Sequence, residues 1–489
     1  MLFNSFSFIL FFTIITILYF VIPHRYRWIL LWAGSYFFYM QSKAVLVFLL
    51  AGSTFVNFVF SHRIYRTKEK NRRKNLLRIC MIIDFGLLFV FKYLIFIRHN
   101  LSLLLGVFGK TAFTSDLYII LPVGISFFTF QAAAYVIDVY RGEIKPERHY
   151  GIFSVFISFF PQLIAGPIER SKNLMPQFKK EHIFTWDNLM CGLKILALGY
   201  FKKVVIADRI AVLVDRVYAD PVSFGGFALT LAAVLFAFQI YCDFSGYSDI
   251  ALGCARILGF RLTRNFETPY TSASIIETWR RWHVTLSSWF ADYVYIPLGG
   301  RGRSRGEKFR NKLITFALSG LWHGASWTYV MWGVVNGAFV VLHELLTPFR
   351  AWLCRVLHIS GVKPLLKVLG VIWSFSLMAF AFIFFRADTI REAFYVISRL
   401  FSDLPQWGSR QYIYTAFSGM GLNFTEIYIL GGAVAFLIVS ECLSGRQGVF
   451  NALEKRTYGE RFAYYMIVIG AIMLTGVFYA SGQFIYFQF

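Results

Sequence analysis

Long apolar runs recur along the whole chain, and they constrain its fold more than any motif does. They cover about Leu2 to Ile22, Leu77 to Ile97, Leu117 to Ile137, Phe227 to Tyr241, Leu313 to Leu342, Val368 to Phe385, Ile427 to Val439 and Tyr464 to Tyr479. Several approach the roughly 20 residues that a helix needs to cross hydrocarbon. With 57% of its 489 residues hydrophobic and 15% charged, the average position is too apolar for a water-soluble fold. The expectation is an all-α, polytopic integral membrane protein of roughly 11 transmembrane helices, with re-entrant and interfacial helices beside them. No hydrophilic stretch is long enough to form a separate soluble domain and no repeat recurs at a fixed period, so residues 1–489 read as a single membrane domain.

The formal net charge of +23 does not point to nucleic acid, because the basic residues lie in short segments between apolar runs instead of along one face. They follow the positive-inside rule. Between His62 and Arg78 stand Arg63, Arg66, Lys68, Lys70, Arg72, Arg73, Lys74 and Arg78 against Glu69 alone, which marks a cytoplasmic loop. Three apolar stretches precede it, so the N-terminus is expected outside. The first stretch is long, lacks a basic start and has no small-residue cleavage site, so it reads as a retained helix and not as a signal peptide.

Gly151 to Pro167 is apolar but short and interrupted by Pro161, Gly166 and Pro167, which suggests a re-entrant segment buried in protein. Trp186 to Asp220 is amphipathic, with Lys194, Lys202, Lys203, Asp208 and Arg209 interrupting apolar residues. Ser272 to Phe290 is also amphipathic and opens on Ser274-Ile275-Ile276-Glu277, a capping-box pattern. A second basic loop, Arg301 to Lys312, follows it. The six cysteines form no close pair and read as small buried hydrophobes, with no metal site.

Candidate chemistry centres on two histidines. His323 lies within Ser319-Gly320-Leu321-Trp322-His323-Gly324-Ala325-Ser326-Trp327, inside the Leu313 to Leu342 run and ~15 Å along a helix from its charged start. An ionisable residue at membrane depth is a functional candidate, and a neutral imidazole can accept a proton; a packing histidine is the bland alternative. His283 lies within Trp279-Arg280-Arg281-Trp282-His283-Val284-Thr285-Leu286-Ser287. Helical spacing would put Trp279, His283 and Ser287 on one face, with Arg280 and Arg281 turned elsewhere. Tyr241-Cys242-Asp243-Phe244-Ser245-Gly246-Tyr247-Ser248-Asp249 offers two carboxylates that either line a polar cavity or cap the next helix. Serine-hydrolase, zinc-protease and nucleotide-binding motifs are absent from the sequence.

Together these blocks, with Asp292-Tyr293-Val294-Tyr295-Ile296-Pro297-Leu298-Gly299-Gly300, resemble the membrane-bound O-acyltransferase family, in particular its bacterial alginate and peptidoglycan O-acetylating branch. The resemblance runs from Leu2-Phe3-Asn4-Ser5 to the terminal Phe484-Ile485-Tyr486-Phe487-Gln488-Phe489. One departure is Glu277-Thr278, where the family usually has Asp-Phe. The resemblance implies an acyltransferase of the bacterial inner membrane that moves an acyl group, acetyl by preference, from a cytoplasmic thioester toward hydroxyls of an extracytoplasmic polysaccharide. It implies no bound cofactor: acetyl coenzyme A or an acyl carrier protein is the donor. It also implies an exported hydrolase-like partner that completes the transfer. His323 would be the catalytic base and His283 the second family histidine, with Asp243, Ser245, Asp249, Trp279, Arg280, Ser287, Ser319, Trp322 and Ser326 around the substrate.

Two further expectations concern the second basic loop and the C-terminus. Arg301, Arg303 and Arg305 could hold donor phosphates, or simply fix topology. The aromatic C-terminus could form an interfacial belt, or fold back so that the Tyr486 hydroxyl relays the acyl group or aligns the acceptor. The competing functions are D-alanyl transfer to teichoic acid, a transporter or flippase, which would also bury His, Asp and Arg in membrane helices, and a non-catalytic scaffold.

Overall fold

A computed structural model describes residues 3–107, 119–302, 304–356, 363–478 and 484–485. The described residues form helices and connecting loops, with no strand among them. Among the described residues, six helices are long and apolar enough to cross a membrane: Leu46–Arg66, Lys70–Val107, Gly226–Ile257, Trp327–Val356, Pro364–Arg386 and Phe424–Leu453. Other helices, such as Phe6–Val21, are apolar but shorter. Phe6, Val21, Phe48, Ile82, Trp373 and Leu474 all stand exposed. Apolar surface on this scale fits lipid and not water.

The chain forms two compact units, Met1–Leu196 with Ser248–Thr263, and Ala197–Tyr247 with Arg264–Phe489. In the first, the proline-interrupted segment is broken into Tyr150–Ser158 and Phe160–Leu163, and Gly151 to Ile168 are buried throughout. The break leaves backbone groups that the helix cannot satisfy, and side chains take them up. Phe156 O accepts from Gln131 Nε2 at 2.6 Å and from Gln162 Nε2 at 3.0 Å, and Phe160 N–H donates to Ser35 Oγ at 3.1 Å.

The second unit carries both histidines. The Leu313 to Leu342 run, continuous in hydropathy, folds as a hairpin: one helix spans Arg305–His323 and the next Trp327–Val356, so His323 is the last residue before the bend. Ser304 starts the hairpin by accepting from Glu307 N–H. Small residues let its arms touch. A Cβ on Gly333 would sit 2.2 Å from Phe316 O, and one on Gly320 would sit 2.1 Å from Tyr329 O.

The other histidine block also breaks where a continuous helix was expected. Ile275–Arg281 and Val284–Phe290 are separate helices, and His283 between them has a left-handed backbone at φ 42°. The capping box is half formed: Ser274 Oγ accepts from Glu277 N–H, while Glu277 accepts from Ala273 N–H. Asp243 and Asp249 lie inside the helix Gly226–Ile257, so neither caps a helix N-terminus.

Candidate active site

Both histidines line one cavity of ≈ 330 Å³ in the second unit, with Trp279, Arg280, Ser287, Tyr295, Lys312 and Ser319. His323 is 4% exposed and His283 1% exposed. Around His323 the rings of Trp322, Trp332 and Phe385 stand at centroid distances of 4.9, 5.0 and 5.3 Å. Trp322 also lies 6.1 Å from His283 and so touches both imidazoles. Rings packed on three sides fix the His323 plane and keep it dry.

His283 is held by a different device. Its Nδ1 lies 3.3 Å from Asn265 Oδ1, an acceptor, which makes Nδ1 the protonated nitrogen. The same oxygen accepts from Thr285 Oγ1 at 2.6 Å, and Asn265 O accepts the Val284 N–H at 2.9 Å. Asn265 thereby fixes both the ring and the left-handed turn that carries it. Burial pushes the His283 pKa down to about 3, so this imidazole is neutral near pH 7.

The expected helical face of Trp279, His283 and Ser287 does not form, since the helix breaks at His283. The break still sends all three side chains into the cavity. Ser287 Oγ donates to Trp282 O at 3.2 Å instead of orienting His283. Arg280, expected to turn away, lines the cavity. Arg281 is buried against Glu277 and donates to Thr271 Oγ1.

Lys312, which motif reasoning passed over, stands at the cavity wall and pairs with Glu344, as does Lys308 at 2.7 Å. No acidic side chain is among the residues lining this cavity. Arg301 and Arg305 are exposed and line neither this cavity nor the next, and Arg303 lies outside the described residues.

A second cavity, of ≈ 310 Å³, lies on the other side of the His323–Phe385 contact. Phe385, packed on His323, lines it together with Ser326 and Thr328 from just beyond the hairpin bend. Its floor is a buried ionic cluster: Lys203 Nζ lies 2.8 Å from Asp208 Oδ1 and 2.6 Å from Asp243 Oδ1. Burial alone would lower the lysine pKa, but Asp243 and Asp208 outweigh it and raise it. Lys203 sits in a π-helical turn, Phe201–Ala207, a widening of the helix that often marks functional sites.

The other Asp243 oxygen accepts the Ile485 N–H at 2.8 Å. Phe484 stacks 4.6 Å from Tyr247, and both tail residues are buried. An interfacial belt is therefore not what these two residues form: a backbone donor and a ring each find a better partner inside. Tyr486 lies outside the described residues. Ser245 is buried but lines neither cavity, and Asp249 belongs to the first unit.

Curated sequences decide what the site belongs to. A protein named probable alginate O-acetylase AlgI, from Pseudomonas aeruginosa, is 37% identical over 404 residues, 82% of this chain and 75% of that protein. The chain belongs to the membrane-bound O-acyltransferase family. The family's sequence pattern matches residues 148–384, which include both histidines and the hairpin. A peptidoglycan O-acetyltransferase of Helicobacter pylori is 34% identical over 396 residues, 76% of this chain and 72% of its own. A teichoic acid D-alanyltransferase of Streptococcus thermophilus is 31% identical over 290 residues, 54% of this chain and 68% of its own. As a membrane-bound O-acyltransferase the protein is a multi-pass membrane enzyme of acyl transfer.

Proposed function

We propose that this enzyme takes an acetyl group from a cytoplasmic thioester through the first cavity and delivers it to a hydroxyl acceptor in the second, with His323 as general base. The observation that carries the reading is the position of His323: it lines the first cavity and packs on Phe385, which lines the second. Sidedness follows from charge. The first cavity lies toward the basic start of the Arg305–His323 helix and the second beyond its end, and the positive-inside rule supports a donor on the cytoplasmic side of a bacterial inner membrane, as the basic loop between His62 and Arg78 supports an outside N-terminus.

Chemically, His323 removes the proton of the acceptor hydroxyl as its oxygen attacks the thioester carbonyl carbon. The carbon–sulfur bond breaks, the new ester keeps the acyl group, and the thiolate leaves with the proton that His323 returns. The imidazolium formed in passing stands at the C-terminal end of its helix, where the carbonyl dipoles favour a cation. His283, neutral and fixed by Asn265, aligns the thioester beside it.

The alginate- and peptidoglycan-acetylating relatives support a polysaccharide as the final acceptor; the exported partner that would complete the transfer is what the family resemblance implies. D-alanyl transfer to teichoic acid is the second reading, favoured by the Streptococcus thermophilus relative but over a smaller share of the chain. Purified protein given acetyl coenzyme A or D-alanyl carrier protein separates the two. With the accepted donor, His323→Ala is expected to fall below about 1% of wild-type thiol release, since general base catalysis contributes about 10²–10⁴-fold. Retention of activity within about threefold by a well-folded variant removes His323 from the mechanism.

A further inference from the structure

Lys312 reaches the first cavity with its ammonium already engaged. Its Nζ pairs with Glu344 Oε1, and the Nζ of Lys308 lies 2.7 Å from Glu344 Oε2. The two lysines stand one helical turn apart on the first hairpin arm, Arg305–His323, where i and i+4 share a face, and the carboxylate comes across from the second arm, Trp327–Val356. One carboxylate thus serves two cations. Of these three side chains only Lys312 lines the cavity, and all three are partly exposed.

The hairpin does not need this cluster to close. Its arms already meet at backbone distance: a Cβ on Gly337 would stand 3.1 Å from Phe316 Cβ, as one on Gly333 meets Phe316 O. What the second lysine adds is a partner to fall back on. If Lys312 turns to an anion in the cavity, Glu344 keeps Lys308, and no partly buried carboxylate is left without a cation. Ion pairs this accessible to water are worth little net and exchange readily. A phosphate entering the first cavity therefore competes with Glu344 for Lys312, and the same carboxylate repels it.

We infer that Glu344 is a resident competitor for the donor's phosphate at Lys312, and that Lys308 weakens this competitor by sharing its carboxylate. The inference rests on the proposed acyl transfer, whose candidate donors both carry a phosphate ester on the thiol arm. The spent thiol keeps that phosphate. Recapture of Lys312 by Glu344 then favours departure of the product as much as it disfavours binding of the donor, so one carboxylate lowers affinity and clears the site for the next turnover.

The test gives purified full-length protein the labelled thioester that it accepts, acetyl coenzyme A or an acyl carrier protein, with free coenzyme A or phosphate-free pantetheine as inhibitor. Glu344→Gln is expected to lower the donor KM and the inhibition constant of coenzyme A by about three- to fivefold, the exchange of one partly exposed ion pair. Inhibition by pantetheine should stay as in wild type. Lys308→Met should raise the donor KM although Lys308 does not line the cavity, and adding Glu344→Gln to it should cancel that rise. A donor KM unmoved or raised in a folded Glu344→Gln variant overturns the inference, as does an equal gain in pantetheine binding. A Lys308→Met effect that persists without Glu344 shows that Lys308 acts through its own charge, and also overturns it. Should Glu344→Gln fail to fold, Lys308→Met still decides: an unchanged donor KM rejects the competition. No consumption of either thioester by the wild type defeats the proposed function itself.

Discussion

The Nδ1 of His283 lies 3.3 Å from the side-chain oxygen of Asn265, and the same asparagine's carbonyl holds the backbone N–H that follows the histidine. One residue, 18 positions upstream, thus sets the tautomer, the ring plane and the turn. Asn265→Ala is expected to lower kcat about tenfold, the equivalent of one hydrogen bond of ~1.4 kcal/mol. Donor KM should change less. Asn265→Asp, which keeps the acceptor, should recover part of the loss. A kcat equal to wild type in the alanine variant would show that His283 does not need this partner.

The same histidine should leave a signature in stability. Its pKa of about 3 in the folded protein lies below the ~6.5 of a free imidazole, so the unfolded chain binds the proton first as pH falls. Above about pH 7 the group has no effect on stability. Between about pH 6.5 and 3 it increasingly favours unfolding. Thermal unfolding in detergent at pH 7.5 and pH 5 should show a larger drop for wild type than for His283→Gln, and identical drops would mean that the ring is reached by water.

Donor recognition is expected to depend on Arg280 and Lys312, which line the first cavity, and not on Arg301 and Arg305, which do not. Lys312→Met should raise donor KM about three- to tenfold, and Arg280→Gln similarly. The Arg301→Gln, Arg305→Gln double variant should leave it within twofold. A larger effect from the loop pair than from Lys312 would return the donor site to the loop.

The hairpin depends on close helix contact. Gly333→Ala puts a methyl group 2.2 Å from Phe316 O, a backbone atom that cannot swing aside. A cost of about 1–3 kcal/mol is expected from overpacking, read as a lowered unfolding temperature. Gly431→Ala, whose Cβ meets nothing within 4 Å, serves as the control and should be neutral.

Much of the helical content was legible because hydropathy is a local property: the runs at Phe227 to Tyr241, Val368 to Phe385 and Ile427 to Val439 each fall inside an observed helix. The breaks were harder to see. Gly324-Ala325-Ser326 is small and weakly polar, so nothing in the Leu313 to Leu342 run announces a bend after His323. At His283 no glycine or proline signals the left-handed turn, which tertiary contact with Asn265 holds in place.

The site shows the same division. His323 stood out as an isolated ionisable group and His283 through its sequence block, while Asp243 read either as lining a polar cavity or as a helix cap, and it is the cavity that it lines. Its true partners, Lys203 and the Ile485 backbone, lie 40 and 242 residues away. Charged residues interrupting the apolar Trp186 to Asp220 segment were the available signal for that cluster, and only folding shows which of them converge.

The rings of Trp322, Trp332 and Phe385 around His323 have an electrical consequence. A passage open along its whole length would let ions run down the membrane potential, each elementary charge releasing about 2.3 kcal/mol per 100 mV. Under the proposed transfer, with these rings packed around the base, the moiety that passes is an acetyl group without charge. In that reading the donor's phosphates would stay with Arg280 and Lys312, while the Asp208 and Asp243 carboxylates stay with Lys203. The reaction is then electrically silent, and its rate in sealed vesicles should not respond to an imposed voltage.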